Sequence, residues 1–300
     1  MERLSGDTSL VFPQLYLSPI PSWAVTSASA FAIGVVVGPW VIASQVAAYR
    51  ALRGEGREVA TGSPGRSPDR LRRCALGYGM DEPGEVRRID CERWPRREAY
   101  ELFRGLGFPY FNLTADVDVA SLWNAVRARS ASFTVSLVYM LSRAANDVPE
   151  FRQRIRGPDV VEHRVVHPSI TVLAEDGAIR FVNLRYVEEF ARFACDAAER
   201  IDRGRRAESL WSEPDRDDSL FMTAIPWVSF TGLIHPVPLD PPSSVPRIAW
   251  GKYRDVGGRL AMPLNVQAHH ALMDGIHIGR FFERVEELLA EPAAALGRPI

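Results

Sequence analysis

Residues Met262–Val285 read MPLNVQAHHALMDGIHIGRFFERV. Extended back to Arg259, the first part alternates: Leu260, Met262, Leu264, Val266 and Ala268 fall on one side of a strand. Ala261, Pro263, Asn265 and Gln267 fall on the other. The last part changes period, and Ile278, Phe281, Phe282, Val285 and Leu288 recur at helical spacing. Between strand and helix stand His269, His270, which continues the apolar side of the strand, and, four residues past His270, Asp274-Gly275. Paired imidazoles at such a junction fit a metal site, a nucleophile's partner, a general base or a polar cap on a strand end. Adjacent strand residues point to opposite faces, and no Glu or third His sits at a supporting spacing, which argues against metal. No Gly-x-Ser-x-Gly elbow occurs, which argues against a nucleophile triad. A general base and a structural cap remain. A neutral imidazole takes a proton from a hydroxyl near neutral pH when a neighbour fixes its tautomer.

Working outward, the chain of 300 residues is 46% hydrophobic and 24% charged with a formal net charge of -1, enough for one large core or two modest ones. The balanced charge gives no electrostatic case for nucleic acid. Cys74, Cys91 and Cys195 form no C-x-x-C pair and meet no His at zinc-finger spacing, so neither a disulfide framework nor a structural zinc is indicated and a reducing compartment fits.

The N-terminal part differs in kind. No charge occurs from Thr8 to Tyr49, and the apolar stretch 23–49 is long enough to span a bilayer, although Gly34, Gly38 and Pro39 interrupt it. Residues 50–79 form a basic linker rich in Arg, Gly, Ser and Pro. If the stretch spans, the positive-inside rule leaves everything after it in the cytoplasm, tethered to the inner face of the membrane. The alternatives are a soluble extension and an over-extended start, with translation from Met80. The expected division is therefore an extension over 1–79 and a catalytic-size domain over 80–300.

In that domain the pattern predicts a helix in RREAYELFRG and a strand in YFNLTADVDV, then a helix capped by Asp118 and a buried helix in SFTVSLVYMLSRAAND. Strands follow in DVVEHRVVH, SITVLAE and AIRFVNL, with a tight turn at Glu175-Asp176-Gly177. A helix is expected over about 187–201, and a strand in SLFMTAIPWVSF ends or bulges at Pro226. Alternation without internal repeats indicates one α/β or α+β domain.

Several short motifs recur in a fixed order: WPRREAYELF, FNLTADVDV, VPEFRQRI, VHPSITV, AIPWVSF, GKY and MPLNVQAHHALMDGIHIGRFFERV. Together they resemble the chloramphenicol acetyltransferase family from about Ile89 to Leu289, with HHALMDG matching its His-His-x-x-x-Asp-Gly motif. The resemblance implies a coenzyme A-dependent acyltransferase fold, a two-layer α/β sandwich on a mixed sheet, assembled as a homotrimer with active sites at subunit interfaces. It implies that His270 is the general base, that acetyl-CoA is the co-substrate, that transfer is direct, and that no metal takes part. It places Asp274 and Arg96 as a structural pair at the site, and Thr223 where the family has a serine donating to the oxyanion. Threonine keeps that donor but adds a methyl group and stiffens χ1. Trp227, Lys252 and Tyr253 match positions near coenzyme A.

The acceptor pocket departs from the family. Leu102 and Phe103 stand where aromatic pocket residues are usual, Pro109 and Tyr110 replace a small segment, and Ala249 replaces a threonine that holds an ordered water. These changes leave acyl transfer to a small hydroxylated molecule intact and put chloramphenicol itself in question. His163, His167, His235 and His277 read as structural, and Cys195 as a small core residue. Two other readings stand beside O-acetyl transfer. One is the acyltransferase core of a 2-oxo-acid dehydrogenase complex, against which the absence of a lipoyl-bearing domain and its linker counts. The other is a non-catalytic trimeric binding or scaffold protein of the same fold.

Overall fold

The computed structural model describes residues 85–211 and 216–297. The expected extension over 1–79, with its apolar stretch and basic linker, and the boundary at Met80 lie outside the described residues. Among the described residues no helix is long and apolar enough to cross a membrane.

The stretch that opened the reading is the centre of the fold. Strand β10 (Arg259–His269) pairs antiparallel with β2 (Tyr110–Asp118) on one side and with β8 (Arg247–Gly251) on the other. From β8 the large sheet continues through β7 (Ser219–Ile225) and β5 (His167–Leu173) to β6 (Ile179–Asn183), in the order β2-β10-β8-β7-β5-β6, with β9 (Arg254–Val256) on β10. The β5–β7 and β7–β8 pairs are parallel and the rest antiparallel, so the sheet is mixed. A small sheet joins β1 (Val86–Arg88), β4 (Asp159–His163) and β3 (Gln153–Arg156).

One face of the large sheet presents Met222, Ile248, Trp250, Leu264 and Val266 to the core. Against it pack α2 (Ala120–Ala128), α3 (Phe133–Asp147), α4 (Phe190–Arg205) and α5 (Gly275–Ala290). Ten of the fifteen residues of α3 are buried, because it is covered on nearly every side, as its apolar sequence predicts. Helix α1 (Arg97–Arg104) and the short α6 (Pro292–Leu296) are the other α-helices among the described residues. The opposite face is polar. Thr223, Ala249, Asn265 and Thr114 form one row across β7, β8, β10 and β2, and Phe221, Arg247, Gln267 and Asn112 form the next. The architecture is the expected two-layer α/β sandwich on a mixed sheet.

Three local expectations shift. The helix expected over 187–201 runs Phe190–Arg205, because the Tyr186 amide donates to His167 Nδ1 and the Tyr139 hydroxyl donates to the Glu188 carbonyl, holding that segment extended. Val119 occupies the cap position of α2, and Asp118 supports the helix start from one residue further back, its Oδ1 accepting from the Ala120 amide at 3.0 Å. Strand β10 ends at His269, so His270 belongs to the turn that follows and does not extend the strand's apolar side.

Candidate active site

The turn between β10 and α5 is held from both ends. The His270 amide donates to the Pro109 carbonyl, just before β2, at 2.8 Å. At the other end Asp274 is the N-cap of α5, and its carboxylate takes both terminal nitrogens of Arg96; the Arg96 Nη2 to Asp274 Oδ1 bond is 3.0 Å. The same Nη2 donates to the His270 carbonyl at 3.1 Å, so one guanidinium clamps the first and last residues of the turn. Arg96 immediately precedes α1, which therefore brings Phe103 over the turn. The Phe103 ring stacks on the His270 imidazole with centroids 3.8 Å apart and planes 4° apart, and Phe111 of β2 packs at 4.6 Å.

This geometry decides the imidazole's tautomer. His270 Nδ1 lies 3.1 Å from the Met273 carbonyl and 3.4 Å from Asp274 Oδ1, both of which can only accept. The proton therefore sits on Nδ1, and Nε2 keeps its lone pair. The side chain is 32% exposed. His269 is different: it is buried, its Nδ1 accepts from the Ala271 amide at 3.3 Å, and burial, with the neighbouring His270, pushes it down to about 4. The adjacent imidazoles thus differ: His269 is a buried neutral strut, and His270 keeps the Nε2 lone pair.

Asp274 is held below the usual carboxylate range, first by its hydrogen bonds to Arg96. Its backbone is fixed by His277, one of the histidines read as structural. The Asp274 amide donates to His277 Nδ1 at 2.9 Å, closing the capping box, and His277 Nε2 lies 3.5 Å from Glu150 Oε1. The only sequence signal was its place three residues after the cap, where Glu or Gln is usual.

The remaining predicted residues gather elsewhere. Thr223 on β7 faces Ala249 on β8, and its Oγ1 lies 3.1 Å from Thr171 Oγ1, a neighbour the sequence reading did not single out. Trp227, 52% exposed, follows the end of β7 in a turn; the Lys252 amide bonds the Val228 carbonyl at 2.8 Å, and the Lys252 side chain is exposed. Tyr253 is half-buried and packs against Trp123 at 5.3 Å. Leu102 is 63% exposed on α1. So Arg96, Phe103, His270 and Asp274 form one cluster, Thr223 and Ala249 a second, and the three coenzyme candidates a third.

The first two clusters are far apart within one chain. From Thr223 to Asn265 is two strand spacings, and from Asn265 to His269 four residues along β10, which gives about 16 Å at about 4.8 Å per strand and 3.3 Å per residue. They also lie on different sides, since His270 packs with Phe103 and Phe111 beside the helical layer while Thr223 stands on the polar face.

A two-layer mixed-sheet sandwich with a histidine whose free ring nitrogen is set by a clamped turn is the frame of an acyltransferase, and the protein is an acyltransferase enzyme. The family profile described as Chloramphenicol acetyltransferase matches residues 85–286, and the chain belongs to that family. It is 28% identical over 203 residues to chloramphenicol acetyltransferase 3 of Escherichia coli, covering 67% of this chain and 95% of that protein. It is 30% identical over 208 residues to a chloramphenicol acetyltransferase of Streptomyces acrimycini, covering 68% of this chain and 94% of that protein. A solved chloramphenicol acetyltransferase structure superposes with a TM-score of 0.61 at 26% identity, covering 69% of this chain and all of that one.

Proposed function

We propose that the protein is an acetyl-CoA-dependent O-acetyltransferase that acetylates a hydroxyl of chloramphenicol or a related small molecule, with His270 as general base. The observation that carries this reading is the His270 tautomer: Nδ1 is committed to the Met273 carbonyl, leaving Nε2 to take a proton. The acceptor hydroxyl gives its proton to Nε2 as its oxygen attacks the thioester carbonyl. The tetrahedral oxyanion accepts from the Thr223 hydroxyl, with the Thr171 hydroxyl donating to Thr223 Oγ1 behind it. Collapse breaks the C–S bond, and the proton passes from Nε2 to the departing thiolate. No acyl-enzyme and no metal are needed.

Because Thr223 lies about 16 Å from His269, the residue before the base, and on a different side of the sheet from His270, the reading requires two chains: His270 of one subunit meets Thr223 of its neighbour across a trimer interface. Arg96 and Asp274 hold the base, Phe103 walls the imidazole, Leu102 and Ala249 border the acceptor, and Trp227, Lys252 and Tyr253 border coenzyme A. The reading puts the enzyme in the cytoplasm, where acetyl-CoA is made. The test is acceptor-dependent thiol release from acetyl-CoA. Wild-type protein releases thiol with chloramphenicol, and His270→Ala falls by about 10²–10⁴-fold while remaining assembled. Full activity in His270→Ala removes the base from the mechanism. Coenzyme binding without thiol release on any hydroxylated acceptor would favour the scaffold reading instead.

A further inference from the structure

The capping box at the start of α5 has a second layer behind it. His277 is buried and its Nδ1 takes the Asp274 amide at 2.9 Å, so in the neutral ring the proton is on Nε2. That edge of the ring meets Glu150, whose Oε1 lies 3.5 Å from Nε2. Glu150 belongs to the 3-10 turn Pro149–Arg152 that follows α3, and the turn is seated against α5 by Phe151 stacking on Phe281 with centroids 4.7 Å apart. The Glu150 side chain is 17% exposed, and its Oε2 is buried with no hydrogen-bond partner among the described residues. A carboxylate in that state weakens a fold by its desolvation, and what it faces here is an imidazole edge.

The carboxylate separates the two tautomers of that imidazole. With the proton on Nε2, the ring points its N–H at Glu150 and accepts from Asp274. With the proton on Nδ1, an N–H would meet the Asp274 N–H and a lone pair would meet a negative oxygen, so both contacts would turn repulsive. A second proton would also break the Asp274 contact. Burial lowers the pKa of the ring; of the charges around it Glu150 and Asp274 oppose that shift, and Arg96 and Arg280 add to it. From His277 the contacts run on through the Asp274 amide, the Asp274 carboxylate on Arg96, and Arg96 Nη2 on the His270 carbonyl at 3.1 Å. The charge on Glu150 is thus joined by four successive contacts to the turn that carries His270.

We infer that Glu150 is a positioning residue for the reaction: it sets the His277 tautomer, and through the Asp274 cap it holds the His270 turn in its working geometry. This rests on the reading of His270 as general base.

Two readouts on the full chain test it: thiol release from acetyl-CoA with chloramphenicol, and hydrogen exchange of the backbone amides of 270–277 followed by mass spectrometry. In Glu150→Ala the turn exchanges faster and kcat per folded chain falls about tenfold, with the KM for acetyl-CoA unmoved. Should Glu150→Ala fold poorly, Glu150→Met fills the same space without an acceptor and reads the same loss. Glu150→Gln loses much less, because its carbonyl oxygen accepts from Nε2–H as the carboxylate does. His277→Gln carries a side chain usual at that place in a capping box and has no tautomer to set, so in that background Glu150→Ala changes kcat by less than about twofold and leaves the exchange alone. A merely structural Glu150 would lower the melting midpoint in both backgrounds and keep wild-type kcat in the folded protein, which overturns the inference. An equal loss of kcat in both backgrounds, or exchange in the turn that does not respond to Glu150→Ala, overturns it as well. A wild type that releases no thiol on any hydroxylated acceptor, while its turn still responds to Glu150 only through His277, would refute the base reading and leave the tautomer relay standing.

Discussion

Replacing Arg96 by Ala tests whether the clamp on the His270 turn serves chemistry or only folding. The guanidinium is 13% exposed and the Asp274 carboxylate 39%, so removing the arginine leaves a charge with partial access to water. The stability cost then falls below the roughly 3–5 kcal/mol of a fully buried pair, at about 2 kcal/mol. For a domain of this size, at about 2–4 °C per kcal/mol, the midpoint falls by about 4–8 °C. The second consequence is local. The His270 carbonyl loses its donor, the turn from His270 to Asp274 loosens, and a displacement of about 1 Å in a catalytic group costs on the order of 10²-fold. Activity should therefore fall far more than the fraction folded, with the KM for acetyl-CoA unmoved. Arg96→Lys keeps the charge but cannot bridge both carboxylate oxygens, so it should fall between the two. Scanning calorimetry beside thiol-release kinetics at a temperature where both proteins are folded reads the split. A lowered midpoint with wild-type kcat would refute the reasoning.

Two further outcomes follow from buried groups. His269 is pushed down to about 4 by burial, while in the unfolded chain it titrates near about 6.5, so between these values the unfolded state binds the extra proton. Its contribution is whole above about pH 6.5 and is lost as pH falls toward 4, by about 3 kcal/mol. His269→Gln should flatten that slope in urea titrations between pH 7 and 4.5, and an unchanged slope contradicts it. Arg154 is fully buried and donates to the Asp217, Phe151, Gln153 and Ser219 carbonyls; burial lowers it to about 10, which leaves it charged. Arg154→Met strands those carbonyls and should cost at least about 3 kcal/mol in denaturant unfolding, and a loss under about 1 kcal/mol would show that they find other partners.

Where residues alternate or recur at helical spacing, the sequence was readable. β2 and β10 show their two faces in the pattern of Leu, Val and Met against Asn, Gln and Thr, and α5 shows its buried stripe. β8 was not read as a strand because all five residues of Arg247–Gly251 are buried, so its centre-of-sheet position erases the alternation. The start of α4 was misplaced because a hydrogen bond from a distant strand, at His167, decides where extended chain ends. The base and its clamp were legible only through an ordered motif set, since nothing local says that Arg96 reaches 178 residues along the chain to Asp274. His277 was legible as a structural residue but not as the capping partner of Asp274, because it looks like any first-turn residue and acquires its meaning from the contact that capping supplies.

That the base and the oxyanion donor come from different subunits is the claim most exposed to a direct measurement. His270→Ala and Thr223→Ala proteins, each nearly inactive alone, are mixed in equal amounts under conditions that exchange subunits. In a cyclic trimer assembled at random, about one quarter of the interfaces pair an intact His270 with an intact Thr223 of the neighbour. Thiol release should therefore recover to about a quarter of the wild-type value. Activity that stays at the average of the two single variants would place both residues' work within one chain and contradict the account.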